Sequence, residues 1–150
     1  MVAAPMFPSE DDSLTTHFLR IATSQPQSVA VLSSKGQLSY DELLRRAIVV
    51  AQALRGHGVA RGVLVGIVLP RSVESLLAVL GTLLAGGAYV PIDPDYPVER
   101  QRFLLADSEV SVVVTATSMV PPLLELTGSV VDLDTLAGQS PATEFAATES

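Results

Sequence analysis

The chain has 150 residues, 16 acidic against 9 basic side chains and a net charge of −7, with one lysine and no cysteine. Its length suits one domain of roughly 100–200 residues, its 48% hydrophobic share excludes general disorder, and its acidity gives little reason to bind a nucleic-acid backbone. No cysteine means no disulfide, thiolate nucleophile or Cys-based metal site, and the apolar runs fall short of the ~20 residues a membrane span needs.

Residues 1–12 hold Pro5, Pro8 and three acids, and they read as a flexible arm. They carry no basic leader pattern, so the expected location is the cytoplasm. Ser13 is placed to cap a short helix whose apolar face is Leu14, Phe18 and Ile21. Gln25-Pro26 ends it. Val29–Leu32 reads as a strand and Gln37–Ser39 as its partner. Ser33-Ser34-Lys35-Gly36 supplies the turn of a hairpin.

A long amphipathic helix follows. Leu43, Leu44, Ala47, Val50, Ala51 and Leu54 recur at helical spacing, opposite Arg45, Arg46, Gln52 and Arg55. Asp41 and Glu42 suit its first turn, and Gly56 and Gly58 its end. Val63–Leu69 is a continuous apolar run, the pattern of a strand buried on both faces of a parallel sheet. Ser72 opens a second helix with Val73, Leu76, Leu77, Leu80, Leu83 and Leu84 as its stripe, closed by Gly86-Gly87. Tyr89-Val90 is a brief strand expected to stop at Pro91. Asp93-Pro94-Asp95-Tyr96-Pro97 is a rigid turn, and a third helix is expected from Pro97, at its first position, to Ala106. Val110–Val114 and Ser129–Leu133 are the last strands, with a helical turn near Leu123–Leu126 between them. Residues 135–150 read as a linker or frayed end.

Alternation of strands and helices after residue 40 predicts an α/β fold: a layered, largely parallel sheet with flanking helices and an N-terminal hairpin. Strand order stays open. The body of the domain is expected over residues 13–134.

Chemistry is sparse. No P-loop or nucleophile elbow occurs. Lys35 reads as a solvated turn residue. The glycines from Gly81 to Gly87 end a helix, whereas a phosphate cradle opens one; they read as a C-cap with tight packing. His17 and His57 lack triad or metal partners and read as surface residues. Asp93 and Asp95 have the oxygen chemistry of a Mg²⁺ site, but they flank Pro94 and read better as turn formers. Arg100 and Arg102 can grip an anion or pair with Glu99 and Asp107; surface pairing is the expectation.

Two stretches carry a resemblance. Leu38-Ser-Tyr-Asp-Glu-Leu43 resembles the first core motif of amino-acid adenylation domains from nonribosomal peptide synthetases. Leu83-Leu-Ala-Gly-Gly-Ala-Tyr-Val-Pro-Ile-Asp93, continuing Pro94-Asp-Tyr-Pro-Val-Glu-Arg100, resembles the second. Leu84 departs from it, since the family usually has lysine there; little consequence is expected. The likeness covers roughly residues 14–134.

The resemblance implies an incomplete N-terminal subdomain of an adenylate-forming, AMP-dependent ligase. Such enzymes use ATP and Mg²⁺ to make an aminoacyl-adenylate, then load a phosphopantetheinyl carrier domain. The Gly-rich lysine loop and the later ATP-binding motifs of the family are not matched here. No catalytic, cofactor-binding or metal residue is therefore carried over, and the chain alone is expected to be inactive. Its implied partners are the remainder of the adenylation domain and the carrier, with no nucleic acid or membrane. Tyr40 and Leu43 are expected to anchor the first crossover helix, Gly86 and Gly87 to allow close packing on the sheet, and Pro91, Pro94 and Pro97 to stiffen the turn. Truncation and marginal folding or oligomerisation are expected of such a piece. The alternative is a non-enzymatic interaction module, or one half of a split synthetase.

Overall fold

A computed structural model describes residues 14–33, 36–117 and 129–136. The expected arm over 1–12, the Lys35 turn and the helical turn near Leu123–Leu126 lie outside the described residues. So do residues 137–150.

The first helix, α1 (Leu14–Ser24), turns Phe18 and Ala22 inward. Strands β1 (Val29–Ser33) and β2 (Gly36–Ser39) form the expected antiparallel hairpin, pairing Val29 with Ser39 and Leu32 with Gln37. The backbone N–H groups of Tyr40 and Asp41 donate to the carbonyls of Ser28 (3.0 Å) and Pro26 (2.9 Å). These bonds tie the hairpin to the start of α2 (Tyr40–Gly56).

The α2 helix begins where a side chain can replace the missing carbonyl partners. Ser39 Oγ accepts from the Glu42 N–H at 3.2 Å. Leu43, Ala47, Val50, Ala51 and Leu54 of the predicted stripe are buried, Leu44 is partly buried against them, and Tyr40 joins them from the first turn.

Strand β3 (Leu64–Val68) leads to α3 (Val73–Ala85), then β4 (Ala88–Ile92), α4 (Val98–Asp107), β5 (Val112–Thr115), β6 (Val130–Asp132) and a last turn, α5 (Leu133–Leu136). Ser72 and Ser75 cap α3 reciprocally: Ser75 N–H donates to Ser72 Oγ (3.2 Å) and Ser72 N–H to Ser75 Oγ (2.9 Å). This is the capping-box arrangement with serine at both positions. Gly86 ends α3 at φ 96°, a left-handed cap that favours glycine. Gly81 serves packing instead. A Cβ there would lie 2.5 Å from Val50 Cγ1 and 3.2 Å from the Ala47 carbonyl oxygen, so α2 and α3 approach along it. Gly87 is as close to the sheet, since its Cβ would lie 3.0 Å from the Val63 carbonyl oxygen. Leu84 is 1% exposed, so an apolar side chain suits the place where the family usually has lysine.

The four strands β4-β3-β5-β6 form one parallel sheet in that order. The chain enters at β3, steps one way to β4, then crosses back to β5 and β6. Helices stand on both faces. Val65, Ile67, Val112, Val114 and Val131 pack toward α2 and α3. Val68, Ile92 and Val113 pack toward Leu105 of α4.

Three local expectations are corrected. β4 does not stop at Pro91 but runs through it to Ile92. It is an edge strand of the described sheet, where a residue without N–H costs no ladder bond. Pro97 is the residue before α4, not its first residue; its carbonyl accepts from Arg100 (2.9 Å) and Gln101 (3.0 Å). β5 begins at Val112 rather than Val110, because Glu109, at φ 55°, turns the chain out of α4 first.

Candidate functional site

In open α/β sheets, ligands bind beyond the carboxyl ends of the strands. A cleft of about 510 Å³ opens there, at the ends of β3 and β4. Ile67, Leu69, Val79 and Ile92 form its apolar part. Arg71 and Ser75 border it from the loop before α3 and from α3 itself, and Asp93, Pro94 and Asp95 from the β4–α4 turn.

That turn is held from within. Asp93 Oδ1 accepts from the Asp95 N–H at 2.9 Å, and the Asp93 carbonyl accepts from Tyr96 at 3.1 Å. Gln101 closes it from α4. It is 6% exposed, and its Nε2 donates to the carbonyls of Pro94 (3.1 Å) and Tyr96 (2.8 Å). Asp93 thus acts as the turn former that its position beside Pro94 predicts. Among the described residues, no group of three or more His, Asp or Glu side chains is placed to hold a metal ion.

The other sequence candidates disperse. His57 follows α2 as its C-cap, exposed, with its N–H bonded to the carbonyls of Ala53 and Leu54. His17 is half-buried on α1. The Arg100 guanidinium lies over the Tyr96 ring, 5.6 Å from the centroid, a cation–π contact. Arg102 is exposed on α4.

Sequence reading missed Arg71 and Ser75. The available signal was their place just after a buried strand, where α/β sheets present ligand-binding loops. It also missed a lock between β5 and β6. Thr117 N–H donates to Asp134 Oδ2 (3.0 Å), Thr117 Oγ1 to Asp132 Oδ2 (2.6 Å), and Asp134 N–H to Asp132 Oδ1 (2.9 Å). Each of these carboxylate oxygens already serves the fold.

A family model described as "AMP-binding enzyme" matches residues 18–149, which include both stretches that carry the resemblance. The chain belongs to the AMP-binding enzyme family. It is 44% identical, over 119 residues, to bacitracin synthase 1 of Bacillus licheniformis, a match that covers 76% of this chain but 2% of that protein. A crystal structure of the nonribosomal peptide synthetase FmoA3, in its alpha-methyl-L-serine-AMP bound form, superposes with a TM-score of 0.83 at 33% identity. That match covers 96% of this chain and 16% of FmoA3. O-succinylbenzoate coenzyme A synthetase from Bacillus subtilis, in complex with ATP and magnesium ion, shares the fold at a TM-score of 0.76 and 22% identity, over 87% of this chain and 36% of that one.

This AMP-binding family chain therefore spans a small part of the synthetases it matches. Among the described residues, Arg71 is the one cation bordering the cleft, and Asp93 Oδ1 accepts a bond within its own turn. No helix among the described residues is long and apolar enough to cross a membrane.

Proposed function

We propose that the chain supplies the opening α/β portion of an amino-acid-activating adenylation domain of a nonribosomal peptide synthetase. The observation that carries this reading is the likeness to FmoA3 over 96% of the chain, at 33% identity. The complete domain, supplied with Mg²⁺ and ATP, would convert an amino acid to its adenylate and pyrophosphate, then pass it to the thiol of a phosphopantetheinyl carrier. Its setting is the cytoplasm.

The part assigned to this chain is scaffolding. Charge developing on a phosphate needs positioned cations and backbone donors, and the described residues supply only Arg71 at the cleft. The sheet, the α2–α3 pair and the rigid Asp93–Pro97 turn instead give the rest of the domain a fixed base.

The test is amino-acid-dependent ATP–pyrophosphate exchange. The 150-residue chain alone should show none. A hybrid FmoA3 whose matching segment is replaced by this chain should exchange with the amino acid whose adenylate FmoA3 binds. Exchange by the chain alone would overturn the scaffolding role. A folded hybrid without exchange would overturn the adenylation reading.

A further inference from the structure

The cleft beyond β3 and β4 has a cause in the path of the chain. β3 feeds α3 on one face of the sheet, whereas β4 feeds α4 on the other. The loops leaving these neighbouring strands therefore part, and a crevice opens between them. Its volume of about 510 Å³ falls within the roughly 300–1,000 Å³ usual for small-molecule sites. Leu69, Val79 and Ile92 belong to its apolar lining. The charged lining is divided between the two loops: Arg71 comes from the one before α3, Asp93 and Asp95 from the turn after β4. These opposite charges do not pair with each other. The Arg71 and Asp95 side chains have no ion-pair or hydrogen-bond partner among the described residues, and Asp93 uses only Oδ1, on the Asp95 N–H. The Ser75 hydroxyl is engaged in the α3 cap, where it donates to the Ser72 carbonyl (2.8 Å). Arg71 and the two carboxylates are thus the charged groups left to meet a ligand.

We propose that this cleft binds a small zwitterion with an apolar body, of the size of a dipeptide of apolar residues. Its carboxylate meets Arg71 in a charge-assisted pair. Its ammonium meets Asp95 and Asp93 Oδ2, and its side chains lie on Leu69, Val79 and Ile92. A simple anion fits less well, because Asp93 and Asp95 repel it, and a simple cation less well, because Arg71 does. A metal ion is the poorer occupant, since no group of three or more carboxylate or imidazole side chains is placed to hold one among the described residues. The cleft is roomier than a single aliphatic amino acid needs, which sets the size of the ligand. Binding here uses no ATP and forms no adenylate, so the site stands apart from the reaction proposed above.

The test is a titration of the isotope-labelled chain, followed by its amide NMR shifts. The probes are Leu-Leu, N-acetyl-Leu-Leu, which lacks the ammonium, and Leu-Leu amide, which lacks the carboxylate. Leu-Leu should shift the amides of Leu69, Val79 and Ile92 saturably and bind about tenfold tighter than either capped form, the effect of one charge-assisted contact. Arg71→Gln should bring Leu-Leu down to the level of Leu-Leu amide, while binding of the amide does not fall. Asp95→Asn should bring it toward N-acetyl-Leu-Leu, while binding of the acetylated form does not fall. This dependence on which charge the ligand carries separates binding residues from merely structural ones. Equal affinity for the three probes, saturable shifts elsewhere in the chain, or no saturable shift at millimolar ligand would each overturn the proposal. Free leucine binding as tightly as Leu-Leu would overturn the size assigned to the ligand. Should the chain alone lack dispersed amide signals, the same titrations are made by calorimetry on the FmoA3 hybrid with alpha-methyl-L-serine-AMP bound, and the same affinities decide. Loss of pyrophosphate exchange in a hybrid that still prefers Leu-Leu would remove the adenylation reading and leave the cleft standing.

Discussion

Among the described residues, the two faces of the sheet are covered to different depths. Toward α2 and α3 the strands meet Leu54, Ala47, Ala51, Leu77, Ala78 and Leu84, all buried, and α1 adds Phe18 and Ala22 behind. Toward α4 they meet Leu105, with Leu104 and Val110 only partly buried. The same strands serve both sides with alternate residues, Val112 and Val114 on one and Val113 on the other. The strands therefore do not set the difference; what is laid over them does. A deep face fixes its side chains from all directions, whereas a shallow one lets them give.

Truncating one leucine on each side breaks this comparison most directly. Leu54 is wholly buried in α2. Leu54→Ala should lower unfolding free energy by about 3–5 kcal/mol, the upper part of the range for a core leucine, because close-packed helices cannot collapse into the void. Leu105→Ala should cost about 2–3 kcal/mol, the lower part, because α4 can settle onto the sheet. Urea denaturation measures both. Equal losses would mean that the shallow face is packed as rigidly as the deep one.

Adding a methyl group asks the converse question. At Gly81 a Cβ would meet Val50 Cβ at 2.6 Å and a backbone carbonyl beyond it. At Gly66 it would meet Leu105 Cδ2 at 3.0 Å and Val110 Cγ1 at 3.2 Å, the ends of side chains on the α4 side. Gly81→Ala should cost about 1–3 kcal/mol, the usual range for overpacking. Gly66→Ala should fall at or below the bottom of that range, about 1 kcal/mol, as Leu105 swings aside. A Gly66→Ala protein melting no higher than the Gly81→Ala one would contradict the softness claimed for this face.

How much of this was legible follows the same division. The deep face announced itself. The helical spacing of Leu43 to Leu54, Ser72 ahead of a leucine stripe and the unbroken Val63–Leu69 run are local signals, and α2, α3 and β3 form where they point. The shallow face depended on tertiary context. Whether proline is tolerated at position 91 turns on β4 being an edge, and strand order has no local signature. Gln101 looks like an ordinary polar helix residue until the turn it holds is folded beside it. The cleft joins Arg71 and Ser75 to Asp93 and Asp95, two loops that sequence reading treated separately. The turn role of Asp93 was legible because aspartate beside proline carries its own backbone chemistry.

Gln101 supplies a smaller, sharper test. Gln101→Leu keeps the bulk on the buried side of α4 but removes the donor to Pro94 and Tyr96. The loss should be about 1 kcal/mol, since water can reach the carbonyls of an exposed turn. Amide exchange at Asp95 and Tyr96, whose N–H groups bond to Asp93, should rise more than exchange in β3. A uniform rise across the sheet would assign Gln101 to general packing.

The smallest effect separates the shallow face from its outward surface. Phe103 and Leu105 sit two residues apart on one helix, yet one is 58% exposed and the other is buried. Replacing an exposed side chain changes little in the folded state that the unfolded state does not share, so Phe103→Ser in the isolated chain should move stability by no more than about 0.5 kcal/mol. Its solubility should improve, because an exposed aromatic side chain is removed. The contrast with Leu105→Ala is the informative quantity. If Phe103→Ser destabilises the isolated chain as much as Leu105→Ala does, Phe103 is already packed against something in the monomer, and the α4 side is deeper than the arrangement of its described residues implies.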